Sequence, residues 1–126
     1  MRFTTFLNAT AAVLLAGCNT ISTACTLIGC DDGLAVQFTT APSGAYRVEA
    51  ITAGAATPAV FECGAGETCP PVFFPDLEAE RVTIRVTTSA GTVSREFTPE
   101  YEDLYPNGRR CGAACRQATV TIQLPG

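Results

Sequence analysis

Seven cysteines are the residues of this 126-residue chain whose type and spacing most clearly indicate chemistry. Cys18 ends an apolar stretch near the start of the chain, and the other six form three closely spaced pairs. These pairs are Cys25 with Cys30, Cys63 with Cys69, and Cys111 with Cys115. A thiol can carry a lipid, form a disulfide, ligate zinc or act in redox catalysis, so the surrounding sequence must decide between these uses.

The six paired cysteines are typical of the disulfide framework of a small exported domain. One pair encloses GAGET, a turn sequence between two short apolar runs, which predicts a local Cys63–Cys69 bridge. The other four allow three pairings, and we predict the local ones, Cys25–Cys30 and Cys111–Cys115. Crossed pairings would instead tie an N-terminal arm to a long C-terminal segment. The CxxxxC and CxxxC spacings differ from the usual CxxC of zinc sites, and we predict no metal.

Histidine is absent from the chain, which excludes Ser-His-Asp triads, Cys-His pairs and His-ligated metals. The twelve acidic residues leave a two-carboxylate hydrolase open, but most of them fall at outward strand positions or in turns. Asp31-Asp32-Gly33 could begin a calcium loop, yet no downstream ligand series follows it, so a tight turn is favoured. We therefore predict no catalytic residue and no cofactor.

Residues 1–17 have the layout of a secretory signal peptide. Arg2 is the lone positive charge, and an apolar run from Phe6 to Ala16 precedes small residues. This run is shorter than the roughly 20 residues that span a bilayer. Its removal would leave 109 residues, the size of one domain, and would change the formal net charge from −4 to −5.

Leu15-Ala16-Gly17-Cys18 resembles the lipobox of bacterial lipoproteins at all four positions. The resemblance implies that the Cys18 thiol takes a diacylglyceryl group, that cleavage occurs just before it, and that the new amino terminus is acylated. Several acyl chains anchor a protein far more firmly than one. Asn19 stands where an Asp would imply retention at the inner membrane, so the outer membrane, facing the periplasm, is favoured. The whole chain resembles small lipoproteins of the Gram-negative envelope.

The patterned segments of the remaining chain alternate with a period of two, which predicts β-strands. The clearest is ERVTIRVTT, residues 80–88, and residues 33–40, 45–54 and 117–124 behave similarly. The residues predicted to face the core are Leu34, Val36, Phe38, Tyr46, Val48, Ala50, Val82, Ile84, Val86, Ala118, Val120, Ile122 and Leu124.

Three further segments predict less regular strands. Residues 58–63 and 71–75 are short and bounded by proline, as edge strands are. In residues 92–99, Arg95 would point to the same face of the strand as Val93 and Phe97, which conflicts with a simple core-facing pattern. A β-bulge near Arg95 would resolve the conflict.

About seven strands in about a hundred residues predict an all-β antiparallel sandwich. The layout resembles immunoglobulin-like and fibronectin-type domains, without the tryptophan and widely spaced cysteine pair of antibody domains. APSGAYRVEAITAG, residues 41–54, is similar to a motif of carboxypeptidase regulatory-like (transthyretin-like) sandwiches. We expect a signal peptide (1–17), a lipidated linker (18–31) and a disulfide-stapled β-sandwich domain (32–126).

Residues 99–116, PEYEDLYPNGRRCGAACR, are long for a connection inside a small domain. They contain Tyr101, Tyr105, Arg109 and Arg110, residue types that make strong contacts at interfaces. We regard these four residues as a candidate interaction loop. The alternative is a staple, in which Tyr105 covers the edge of the core and a disulfide replaces missing packing.

The sequence therefore predicts a membrane-anchored envelope lipoprotein that is not an enzyme and acts as a structural or protein-interaction module. Its partners would be the lipid bilayer, through acylated Cys18, and an unidentified envelope protein. Seven arginines against twelve acids in the mature chain argue against nucleic-acid binding and against electrostatic attachment to anionic lipid. An envelope enzyme inhibitor or small-ligand binder is the alternative, and an acid-pair hydrolase is less favoured.

Overall fold

A computed structural model of the protein describes Cys25 and residues 27–125. The described residues form two four-stranded sheets and one 3-10 turn, Arg109–Cys111. The strands are β1 Gly33–Phe38, β2 Tyr46–Ile51, β3 Ala59–Cys63, β4 Val72–Pro75, β5 Val82–Thr88, β6 Gly91–Phe97, β7 Glu102–Leu104 and β8 Cys115–Ile122. The all-β, disulfide-bonded sandwich is confirmed, with eight strands where about seven were predicted.

The two sheets have the strand orders β4-β1-β8-β7 and β3-β2-β5-β6. Neighbouring strands are antiparallel except β1 and β8, which are parallel and pair from Gly33–Gln117 to Phe38–Ile122. The first and last strands therefore begin at the same end of the sandwich. The short strands β3 and β4 lie at sheet edges, as their prolines predicted.

The core lies between the sheets and is formed by the predicted alternating residues. Leu34, Val48 and Ile84 are completely buried, and alternate residues of β1, β2, β5 and β8 surround them. Phe38, Tyr46 and Leu124 are only partly buried, because they lie at or beyond the ends of their strands and pack against the margin of the core. Val72 and Phe74 of β4 complete the core from the edge.

Arg95 is accommodated without the predicted β-bulge, because β5 and β6 pair without interruption along the whole of β6. Arg95 lies opposite the buried Ile84 but is itself exposed, since β6 is an edge strand. Its guanidinium lies 5.2 Å from the centroid of the Phe97 ring. The aliphatic stem can cover apolar surface while the charge reaches water, and such a charge on an edge disfavours pairing with another chain.

The 99–116 segment is not one continuous loop, because it contains β7 and the start of β8. β7 pairs with β8 from Glu102–Gln117 to Leu104–Cys115 and forms an edge of its sheet. Its three residues, two of them acidic, are too few to show an alternating pattern, which is why the sequence did not indicate a strand there.

Two of the three predicted disulfide pairings are wrong. The Cys25–Cys30 and Cys111–Cys115 bridges are not formed; Cys25 is bonded to Cys111, and Cys30 is bonded to Cys115. The parallel pairing of β1 and β8 explains this result. Cys30 lies just before β1 and Cys115 is the first residue of β8, so the fold brings both to the same end of one sheet.

The predicted Cys63–Cys69 bridge is confirmed, but it does not cross a hairpin. β3 and β4 belong to different sheets, so this bridge spans the crossover between them. Within it, the N–H of Glu67 donates to the Gly64 carbonyl at 3.2 Å, and the Gly64 N–H donates to Glu67 Oε2 at 2.9 Å. The bridge therefore closes a tight turn and ties the two sheets at one edge.

Candidate functional site

Cys18 and the predicted signal peptide, residues 1–17, lie outside the described residues. The structure instead describes where the chain that follows Cys18 joins the sandwich. Cys25 and residues 27–32 lie against residues 105–115 at the end where β1 and β8 begin, and we call this region the stapled end. The Cα–Cα distances across its two bridges are 5.8 Å for Cys25–Cys111 and 5.7 Å for Cys30–Cys115.

Asn107 holds the N-terminal arm, which is Cys25 and residues 27–32, at a point between the two bridges. Its Oδ1 accepts a hydrogen bond from the backbone N–H of Ile28 at 2.9 Å, and its Nδ2 donates to the Ile28 carbonyl at 3.0 Å. This reciprocal pair satisfies both backbone groups of Ile28, as a neighbouring strand would. Leu27 is nevertheless 99% exposed and Ile28 is 56% exposed. The stapled end thus holds two adjacent aliphatic side chains in water on a restrained backbone.

Three of the four candidate interaction residues, Tyr105, Arg109 and Arg110, also lie at the stapled end. The N–H of Gly108 donates to the Tyr105 carbonyl at 2.9 Å and closes the turn that precedes the 3-10 segment. The Arg109 guanidinium lies 5.0 Å from the centroid of the Tyr105 ring, an attractive cation–π arrangement. Both arginines are exposed, and neither makes an ion pair with any other described residue.

Tyr101, the fourth candidate, packs against the core. Its hydroxyl donates to the Ala79 carbonyl at 3.0 Å, which joins the chain after β6 to the β4–β5 connection. Burial raises the pKa of the Tyr101 hydroxyl above 10.0, the Glu78 carboxylate raises it further, and the Arg116 guanidinium acts in the opposite direction. Tyr101 therefore covers the edge of the core, which is the position that the staple alternative gave to Tyr105.

Paired carboxylates occur on the outer face of the β3-β2-β5-β6 sheet. Glu62 Oε1 lies 2.7 Å from Arg47 Nη1, and Glu49 Oε1 lies 3.6 Å from Arg47 Nη2, so one guanidinium bridges two acids. Glu49 Oε2 also lies 2.9 Å from Arg85 Nε, an ionic contact whose N–H is not aligned as a hydrogen bond. Arginines thus tie these acids together, and the two carboxylates do not face each other across a cleft.

Asp32 and the Cys63–Cys69 turn carry oxygen or sulfur atoms of the kinds that can ligate metals. The Asp32 carboxylate accepts a hydrogen bond from the backbone N–H of Arg116 at 2.6 Å, so it fastens the arm to β8. Cys63, Glu67 and Cys69 have ligand atoms within 4.8 Å of one another, the one such group found in the described residues. Their two sulfurs are bonded to each other, and a disulfide sulfur is not the thiolate that a metal requires.

The opposite end of the sandwich carries an aromatic cluster beside an open groove. Tyr46 lies between Phe38, at 5.5 Å between ring centroids, and Phe61, at 6.2 Å. The groove has a volume of about 430 Å³, lies between residues 36–42 and 69–72, and no charged side chain lines it. Its volume and mainly apolar lining are within the range of small-molecule sites, while the groove is open to solvent along one side.

Leu27, Ile28 and Asn107 were not among the residues predicted from the sequence. Leu27 and Ile28 are adjacent aliphatic residues between two cysteines, inside the segment predicted to be a linker. Pro106-Asn107-Gly108 is typical of a turn, and nothing in the local sequence indicates a partner 79 residues away. That contact follows only from the side-by-side placement of β1 and β8.

In the described part of the chain, no helix has the length and apolar character needed to cross a membrane. Comparisons of the chain with protein-family models, with curated proteins and with solved structures found no match.

Proposed function

We propose that the protein is a lipoprotein of the Gram-negative envelope, anchored through acylated Cys18 and acting as a non-catalytic interaction module. The observation that carries this proposal is the four-residue match Leu15-Ala16-Gly17-Cys18 at the end of an apolar N-terminal run. The disulfides support it, because the six described cysteines pair with one another and leave Cys18 as the seventh. An odd cysteine in an exported chain indicates pairing with another chain, a free thiol or, after a lipobox, lipid attachment.

The sandwich belongs, in this proposal, to the immunoglobulin-like group. Two packed sheets of short strands and a chain that passes repeatedly from one sheet to the other support the assignment. Such a domain presents connections at both ends of the sheets, where interaction surfaces commonly lie.

Anchoring through Cys18 would orient the domain on the membrane. Cys25 follows Cys18 by seven positions and is fixed to the stapled end by its disulfide, so the tether spans at most about 25 Å. The stapled end would therefore face the bilayer, and the end with Phe38 and Tyr46 would face away from it. Because Asn19 follows Cys18, the outer membrane, facing the periplasm, is the proposed location.

Substitution of Cys18 tests the proposal. In Cys18→Ser we expect unprocessed precursor and no incorporation of labelled fatty acid in whole cells, because the alkylated sulfur is gone. The control is Cys63→Ala with Cys69→Ala, which removes two sulfurs but leaves the lipobox intact and should be processed and labelled normally. Normal processing and unchanged detergent partitioning of Cys18→Ser would refute the lipoprotein assignment.

The unidentified envelope protein is to be found by crosslinking in intact cells. We expect partners to crosslink through the end that faces away from the membrane, for example through a photoreactive residue at Ser43, which is exposed there. The same residue placed at the outer face of β5, at Thr83, is the control. A chain that crosslinks to no protein from either position would contradict an interaction module.

The apolar groove beside Tyr46 favours a small-ligand binder as a second candidate function. A ligand in the groove would change the NMR resonances of Val36, Tyr46 and Val72, which line it. A fragment screen in which these resonances never move, while other surfaces respond, would reject this candidate.

A further inference from the structure

We propose that the stapled end is a second membrane contact, in which Leu27 and Ile28 insert into the bilayer interface and Arg109 and Arg110 contact lipid phosphates. This inference rests on the proposed lipidation of Cys18. It adds a surface of the folded domain to the acyl anchor, and so defines how the sandwich stands on the membrane.

Leu27 and Ile28 have the exposure and the rigidity that insertion requires. They are 99% and 56% exposed, and the third large exposed hydrophobic residue among those described, Val60, is isolated on β3. Two flanking disulfides and the Asn107 hydrogen bonds restrain the backbone that carries them. A restrained apolar pair loses little conformational entropy when it leaves water, so more of its burial free energy is retained.

The position of the pair in the chain identifies a bilayer as the surface that covers it. Leu27 follows Cys18 by nine residues, so the extended chain between them spans at most about 32 Å. An acylated Cys18 would hold the pair at the membrane at a high effective concentration, which makes insertion an intramolecular step. Two aliphatic side chains, too few to bind a membrane by themselves, suffice under that condition.

Arg109 and Arg110 complement the phosphate layer next to the inserted pair. The Cys25–Cys111 bridge and the Ile28–Asn107 hydrogen bonds bring their segment against the arm. A guanidinium can donate two parallel hydrogen bonds to a phosphate, and these two make no ion pair with other described residues. Because the mature chain is acidic overall, apolar insertion carries the contact and the arginines orient it.

The absence of tryptophan from the chain allows a direct test with a single introduced indole. The processed lipoprotein with Leu27→Trp is reconstituted in vesicles of phosphatidylethanolamine and phosphatidylglycerol, with and without lipids brominated on the acyl chains. Flotation of the vesicles first establishes that the protein is anchored. The matched control, Ser89→Trp, places the same indole in the exposed β5–β6 turn at the opposite end of the sandwich.

We expect the indole at position 27 to show an emission maximum at shorter wavelength and a loss of intensity with brominated lipid, and the indole at position 89 to show neither. A floating protein whose indole at position 27 is unquenched and emits at long wavelength would overturn this inference and leave the anchor intact. Protein that does not float would overturn both proposals. A shorter emission wavelength without quenching would show that protein covers Leu27, and would also overturn the inference.

The role of the arginines is tested in the same system. Arg109→Gln with Arg110→Gln, added to Leu27→Trp, should reduce quenching by brominated lipid without lowering flotation, because the acyl anchor is untouched. Quenching equal to that of Leu27→Trp alone would remove the arginines from the membrane contact.

Discussion

The two disulfides of the stapled end should stabilise the fold non-additively, because they join nearly the same two points of the chain. Each bridges residues 85 or 86 apart in sequence. When one bridge is removed, the other still closes the long loop. The unfolded chain then loses only the small ring of about 11 residues, 25–30 and 111–115, that the two bridges close together. Either removal alone should therefore lower the free energy of unfolding by about 3 kcal/mol. Removing both opens the long loop as well, for a total of about 7 kcal/mol.

The assay is urea unfolding of residues 18–126 with Cys18→Ser, a chain to which no lipid can be attached at position 18. Cys25→Ala with Cys111→Ala removes one bridge, Cys30→Ala with Cys115→Ala removes the other, and the four substitutions together remove both. Because total stabilities of small domains are about 5–15 kcal/mol, both double variants should fold, and the fourfold variant should unfold at a much lower urea concentration or already without urea. Cys115 is 5% exposed, so its pair should be slightly the more costly of the two.

The Cys63–Cys69 bridge provides the matched control. Its short separation of 6 predicts a loss of about 2 kcal/mol on removal, which should add to that of either double variant because the sites are far apart. Local pairing would give a different pattern at the stapled end. If Cys25 were paired with Cys30 and Cys111 with Cys115, one double variant would already break both bridges. A double variant as unstable as the fourfold variant would therefore refute the crossed connectivity.

Three further predictions concern single positions. Gly33→Ala should lower the free energy of unfolding by about 2 kcal/mol or more, because Gly33 has φ +154° and an added Cβ would collide with the Phe74 carbonyl oxygen. Gly54→Ala is the control; it has open space around the added Cβ and should be neutral in the same urea assay. Tyr101→Phe should cost about 1 kcal/mol at neutral pH through loss of the hydroxyl bond to Ala79. Because folding raises the pKa of the Tyr101 hydroxyl, the stabilisation from Tyr101 is full below about pH 10 and is lost as the pH rises through the pKa of the folded state. The stability difference between Tyr101→Phe and the unsubstituted chain should therefore shrink at high pH, and a difference that stays constant would contradict the assignment. Arg95→Val should increase self-association in analytical ultracentrifugation, because it removes the charge that protects edge strand β6 from pairing with another chain. The control is Ser94→Val, which places the same side chain on the outer face of β6. Equal sedimentation of Arg95→Val and the unsubstituted chain would show that Arg95 has no such role.

The parts of the fold that the sequence predicted are those governed by local alternation. Val82, Ile84 and Val86 face the core as their period of two requires, and β1, β2 and β8 follow the same rule. The prolines around β3 and β4 placed these strands at edges for a local reason, since proline cannot donate to a central ladder. Arg95 violated the alternation because an edge position, which is a property of the whole sheet, allows a charged side chain on that parity.

The parts that could not be predicted depend on which strands become neighbours. Short spacings suggested local disulfides, whereas the parallel pairing of β1 with β8 brings Cys30 to Cys115 and Cys25 to Cys111. The same long-range pairing brings Asn107 to Ile28, so no local pattern could have revealed the stapled end. The four residues of the candidate interaction loop have different environments, because β7 pairs with β8 between them. Tyr101 packs on the core, while Arg109 and Arg110 remain exposed.

The most direct test of the central claim is the mass of the N-terminal peptide of the protein taken from the cell envelope. The lipoprotein assignment predicts a mature chain that begins at Cys18, carries a diacylglyceryl group on its sulfur and an acyl group on its amino terminus. The same peptide should contain Cys25 still bridged to Cys111 when disulfides are preserved. An unmodified Cys18 in a chain that begins elsewhere would contradict the account.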